Sequence, residues 1–111
     1  MDDSPATQKG ISFSLTDHID YSVGSVVSKI LLKTDVGNIT LFSFDAGQGL
    51  SEHTAPFDAV VQVLEGEAEI TIGGQPQKVT AGQMLIMPAN VPHSLNAVER
   101  FKMLLVMIRG V

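Results

Sequence analysis

Val60-Val61-Gln62-Val63-Leu64-Glu65-Gly66-Glu67-Ala68-Glu69-Ile70-Thr71-Ile72-Gly73-Gly74 decides the fold. Val60–Leu64 is a β-branched, apolar run of strand length. Glu65-Gly66 bends the chain. Glu67–Ile72 then alternates, with Ala68, Ile70 and Ile72 inward and Glu67, Glu69 and Thr71 outward, the period of a half-buried strand. Gly73-Gly74 is a hairpin signal, because a tight reversal needs positive φ at its centre.

The same grammar runs outward in both directions. Upstream, Ser25–Lys33 and Ile39–Asp45 read as strands joined by the turn Thr34–Asn38, and Gly47-Gln48-Gly49 breaks the chain. In Ile39–Asp45, Thr40, Phe42 and Phe44 share one face and Ile39, Leu41 and Ser43 the other. Downstream come Gln75–Val79, Met84–Met87, a Pro-bounded loop from Pro88 to Pro92, His93–Val98 and Phe101–Arg109. Residues 11–23 alternate briefly and are expected to add an edge strand, while residues 1–10 read as a polar tail. No stretch of about 11 residues carries helical periodicity. Some nine short strands with closely spaced turns predict an all-β sandwich or closed barrel, one domain over residues 11–111.

Composition removes several functions. The chain has 111 residues, 44% of them hydrophobic, so it can build one core. It has no cysteine, which excludes disulfides, thiolate metal sites and a cysteine nucleophile. A net charge of -5 and 5% aromatics argue against nucleic-acid binding. The longest apolar run, Met103–Ile108, is far short of a membrane span. The N-terminus reads Met1-Asp2-Asp3-Ser4-Pro5, without the basic and apolar regions of a secretory signal, so the expected location is the cytoplasm.

Two spacings carry a further signal. Gly47 and His53 are separated by five residues, and Gly66 lies downstream; Gly82, Pro88 and His93 form a second spaced set. With the strand pattern, these resemble the two motifs of the cupin superfamily over roughly residues 38–108. The resemblance implies a double-stranded β-helix, or jelly-roll, barrel. It also implies that His53 and His93 are ligand positions for a divalent metal such as Fe, Mn, Ni or Zn. The chain departs from the motifs where Ala55 replaces a second His, Ala59 a Glu, Asn90 a Gly and Ala97 an Asn. Asp58 and Gln62 are the nearby residues able to complete a site, if a bulge turns one inward.

The expected interior is otherwise apolar: Phe42 or Leu41, Val61, Val63, Ile70, Met84, Ile86, Met87, Leu95, Met103 and Leu105. His53, Gln62, His93, Phe57 and Met84 are the expected ligand-pocket residues, with Phe57 at the rim. Together these favour a barrel that binds a small, largely apolar molecule beside a two-histidine site able to take a metal. The alternative is a metal-dependent enzyme of dioxygenase or isomerase type using His53 and His93. A metal-free acid–base enzyme would need Asp58 or Glu52 as a carboxylate partner. His18 and the row Glu65, Glu67, Glu69 read as solvated.

The last strand is apolar on both faces: Phe101, Met103, Leu105 and Met107 on one, Leu104, Val106 and Ile108 on the other. A strand of this kind is covered on both sides. Ser25–Leu32 is the expected cover, contributed by the same chain or by the partner in a homodimer.

Overall fold

The computed structural model describes residues 7–109. Nine strands follow a short 3-10 turn at Thr16–His18: β1 (Val26–Thr34), β2 (Gly37–Phe44), β3 (Gly49–His53), β4 (Ala59–Glu65), β5 (Glu67–Ile72), β6 (Gln75–Thr80), β7 (Met84–Met87), β8 (His93–Asn96) and β9 (Phe101–Ile108). They form a five-stranded sheet in the order β1-β2-β9-β4-β7 and a four-stranded sheet in the order β3-β8-β5-β6. Every pairing is antiparallel. The two sheets face each other as a jelly-roll barrel. Eight of the nine strands read from the sequence are present to within two residues at each end.

One expectation about the strands is corrected. Residues 11–23 form no strand, and β3 takes the ninth place. The expected tail, residues 1–10, lies partly outside the described residues; Thr7–Gly10 form no strand.

The core is the inward face of both sheets. Phe44, Val61, Val63, Ala68, Ile70, Leu95, Ala97, Phe101 and Met103 are buried within it. Phe44 stacks on Phe101 with ring centroids 4.4 Å apart. Pairing sets which residues share a face, since directly opposed residues point the same way. Phe42 lies opposite Met103, so Phe42 points inward and Leu41 outward. Gly66 makes the bend between β4 and β5 with φ 77°, and a Cβ there would run into the Arg100 carbonyl. Glycine is the residue that meets both demands.

The outer face of the five-stranded sheet is partly covered by the chain's own N-terminal segment. Ser25–Leu32, the expected cover, is instead the edge of that sheet, paired to β2. The real cover is a strap over residues 15–21, held by donors on the sheet beneath it. Lys102 Nζ donates to the Thr16 carbonyl at 2.5 Å, Lys29 Nζ to the His18 carbonyl at 3.3 Å and Ser43 Oγ to the Asp20 carbonyl at 2.8 Å. Tyr21 donates its hydroxyl to Glu65 Oε2 at 2.6 Å. Lys29, Leu41, Ser43 and Lys102 are thereby buried on an outward face. Glu65 is therefore an anchor rather than a free surface charge, and His18, stacked on Phe13 with centroids 4.4 Å apart, belongs to the strap.

Candidate functional site

One end of the barrel is fully packed; at the other, the open end, several inward side chains are only partly buried. Along the inward face of β9, Phe101 and Met103 are fully buried, whereas Leu105 and Met107 are only partly so. Phe42, Leu50, Ile72 and Leu85 are likewise partly buried against the core. At the open end the chain passes between the sheets twice: residues 54–58 join β3 to β4, and residues 88–92 join β7 to β8. The two loops are tied together. The Asn90 amide donates to the Ala55 carbonyl at 2.7 Å, and the Ala89 amide donates to Asp58 Oδ1 at 2.8 Å.

His53 and His93 meet at this end, because each sits where one of those loops joins its strand. Their Nε2 atoms are 3.1 Å apart and their ring centroids 4.4 Å, nearly perpendicular at 71°. A bulge in β3 makes the meeting possible. Leu50 pairs with Leu95, and regular pairing would then bring Glu52 opposite His93; the register shifts, and His53 takes that place. One extra residue reverses which side chains face inward.

Backbone carbonyls set the ring chemistry. His53 Nδ1 lies 2.7 Å from the Ser51 carbonyl and His93 Nδ1 lies 3.2 Å from the Val91 carbonyl. A carbonyl only accepts, so each Nδ1 is the protonated nitrogen of its ring. Both Nε2 atoms then direct lone pairs toward one point. Their approach to 3.1 Å is favourable with one additional proton between them, or with a ligand donor or a cation at that point. Burial pushes the His93 pKa below its ordinary value, opposed by the Val91 carbonyl and reinforced by His53. His93 is 4% exposed, while His53 is open to solvent.

The other expected pocket residues divide. Phe57, in the loop after β3, is half-buried at the rim, with the Arg109 guanidinium 5.8 Å from its ring centroid. Arg109 was not foreseen, since no spacing in the sequence links the end of β9 to that loop. Gln62 and Met84 are corrected. They pair with each other across β4 and β7 on the face opposite Val61 and Val63, outside the barrel. Ile86, opposite Val60, is outside for the same reason.

The fit of a metal follows from these positions. Gln62 points away, and Asp58 already accepts from the Ala89 amide. The places of the missing His and Glu hold Ala55 and Ala59, and Ala59 is buried beside Met87 and Met107. Among the described residues no three His, Cys, Asp or Glu side chains are grouped to hold an ion. Two imidazoles do not make the three-ligand frame of a catalytic divalent metal.

A family model described as "Cupin domain" matches residues 40–108. The chain belongs to the cupin family. Among solved structures, this cupin is similar to a conserved protein of unknown function from Streptococcus pyogenes, with 37% identity, TM-score 0.90, and 100% of this chain and 97% of that one covered. It is also similar to a cupin superfamily protein from Desulfitobacterium hafniense, with 29% identity, TM-score 0.88 and coverage of 96% and 97%. A Cupin 2 conserved barrel domain protein from Leptotrichia buccalis shares 39% identity with TM-score 0.84; the match covers 86% of this chain and 47% of that one. No curated protein matches the sequence. Among the described residues, no helix is long and apolar enough to cross a membrane.

Proposed function

We propose that this cupin binds a small, largely apolar molecule in the open end of its barrel, with the His53–His93 pair as its polar anchor. The observation that carries the reading is the meeting of two Nε2 atoms 3.1 Å apart, at the end where the inward-facing Leu105 and Met107 are left partly uncovered. An apolar concave surface with a few convergent polar groups is how small-molecule sites are built. Phe57 forms part of the rim. A ligand hydroxyl or amide N–H set beside the imidazoles would donate to an Nε2 lone pair without disturbing either carbonyl bond. The reading extends to a homodimer, supported by the apolar outer face of the five-stranded sheet, and to a cytoplasmic location.

The test uses anilinonaphthalene sulfonate as an apolar fluorescent probe. Its enhancement in the wild type should be lost in Leu105→Trp, which fills the open end, and kept in Ile86→Glu, which alters the outer face. Loss in Ile86→Glu alone would place the probe outside the barrel and remove the support for the reading.

The metal-enzyme alternative keeps one supporting feature, the convergence of the two lone pairs. It makes its own demand. Protein purified without added metal should then hold near-stoichiometric Fe, Mn, Ni or Zn, lost in His53→Ala. Under the binding reading, elemental analysis finds far less than one ion per chain.

A further inference from the structure

The ladders at the open end run one step past the strands themselves. Between β2 and β9, Gly37 lies opposite Ile108, and the next rung is closed by the Arg109 amide, which donates to the Val36 carbonyl at 2.7 Å. Between β4 and β9, Ala59 lies opposite Met107, so the same step sets Phe57 opposite Arg109. The Arg109 guanidinium does lie over the Phe57 ring, 5.8 Å from its centroid. Side chains alternate along a strand, so Arg109 keeps the inward side of Leu105 and Met107 and stands at the mouth of the barrel.

This cation is held in place yet left uncommitted. Contact with an aromatic face engages the plane of a guanidinium and leaves its N–H edge free for a planar acceptor. Among the described residues the one ion pair joins Lys102 to Glu65, and Arg109 has none. Asp58, beside Phe57 in the same loop, already accepts from the Ala89 amide. A second donor adjoins the mouth. Asn38 pairs with Met107 and shares its inward side. The buried Thr40 hydroxyl donates to Asn38 Oδ1 at 3.2 Å, which leaves the carboxamide NH₂ as its free end.

We infer that the ligand of the open end is a small apolar carboxylic acid, its carboxylate taken by Arg109 with Asn38 as the neighbouring donor. The guanidinium fork matches a carboxylate in both charge and geometry. His53 and His93 belong to the four-stranded sheet and Arg109 follows the last strand of the five-stranded one. Facing sheets stand about 10 Å apart, so the two polar ends flank an apolar body laid over Leu105 and Met107. The inference rests on the proposed ligand site and names the class of molecule that fits it.

The probes are 2-naphthoate and 2-naphthylmethanol, which share an apolar body and differ in charge. The chain has no tryptophan, so naphthalene fluorescence reads their binding without that background. The wild type should bind the naphthoate at least ten-fold more tightly than the alcohol. Arg109→Gln, at an exposed position, should weaken the naphthoate at least ten-fold and leave the alcohol unchanged. Arg109→Lys, which keeps the charge without the fork, should fall between. Lys33→Gln removes a cation from the edge strand, opposite Asn38, and should keep the full preference. Equal affinity for the two probes in the wild type would overturn the carboxylate and leave the pocket standing. A preference that survives Arg109→Gln, or an equal loss of both probes in that variant, would overturn the role of Arg109. Binding of neither probe would overturn the ligand site and the inference with it.

Discussion

Tyr21→Phe removes one oxygen atom and isolates what holds the strap. The hydroxyl donates to Glu65 Oε2 at 2.6 Å, a short charge-assisted bond. Hydrogen bonds to charged groups are worth about 1.5–3 kcal/mol. Glu65 has 43% of its side chain in water, so solvent screening brings the bond to the bottom of that range or just below it, about 1–1.5 kcal/mol. The ring itself remains, and with it the Arg100 guanidinium at 4.5 Å and the Lys102 ammonium at 5.0 Å from its centroid. For a domain of this size the loss corresponds to a fall in Tm of about 4–8 °C. Alkaline pH adds a second signature. Burial, then the Glu65 hydrogen bond and charge, push the hydroxyl well above its ordinary range. The unfolded tyrosine ionises near about 10 while the folded one keeps its proton, so this contribution is complete below about pH 10 and is lost as pH rises further. The variant lacks the group, so the stability gap between wild type and Tyr21→Phe should narrow above pH 10. Urea unfolding of both proteins from pH 7 to 11 measures it. Equal stability at pH 7, or a gap that stays constant to pH 11, would refute the account of the clamp.

Acid acts on the other end of the barrel. Burial lowers the His93 pKa, so the unfolded chain binds the proton more readily. The stability from keeping this ring neutral is present above about 6.5 and is lost as pH falls below it; His93→Gln should flatten that part of the unfolding profile. Gly66→Ala must hold a Cβ at φ 77° and against the Arg100 carbonyl, and it should cost at least about 2 kcal/mol in chemical denaturation. Asn90→Gly should be nearly neutral, whereas Asn90→Val, forced to keep φ 63°, should cost about 1–3 kcal/mol by the same measurement.

What could be read beforehand, and what could not, follows from periodicity. Glu67–Ile72 shows one wet and one dry face, and its inward set Ala68, Ile70 and Ile72 is the set the barrel uses. Val60–Leu64 and Met84–Met87 are apolar on both parities, because one face meets the core and the other is the outer surface of the five-stranded sheet. Alternation cannot tell those faces apart, so the sequence reading puts Met84 and Ile86 on the wrong one, while Gln62 would face inward only through a bulge that β4 lacks at that position. The strand β3 was hidden by Gly47 and Gly49 and by its polar residues Ser51 and Glu52, all exposed in a short strand. Its bulge is a register property of two strands and leaves no mark in one. Asn90 shows the opposite case. The motif has glycine there, and the chain keeps the backbone with φ 63°, since asparagine tolerates the left-handed region better than other side chains. That departure is conservative in conformation. Those at Ala55 and Ala59 are not conservative in chemistry.

The two alanines therefore separate the barrel from the metal chemistry its family motif implies, and substituting them back tests the separation. Ala55 lies in the loop held to Asn90, and Ala59 is buried and faces inward between Met87 and Met107. Ala55→His with Ala59→Glu would place an imidazole and a carboxylate at the two vacant motif positions, beside the converging Nε2 atoms. Without metal, the carboxylate enters an apolar site unpaired. The double variant should be less stable than the wild type by several kcal/mol, or hold its carboxyl protonated. With Zn²⁺ the four groups become a closed donor set, and binding to the folded state alone adds RT ln(1 + [L]/Kd), about 2.7 kcal/mol at one hundred times Kd. The expected outcome is a Tm that rises with Zn²⁺ in the double variant and stays flat in the wild type and in the double variant carrying His53→Ala. Thermal unfolding across a zinc titration reads it directly. A double variant that folds without metal yet gains nothing from Zn²⁺ would mean that His53 and His93 do not converge on a point the restored ligands can reach. The bulge-directed geometry of the pair would then be wrong.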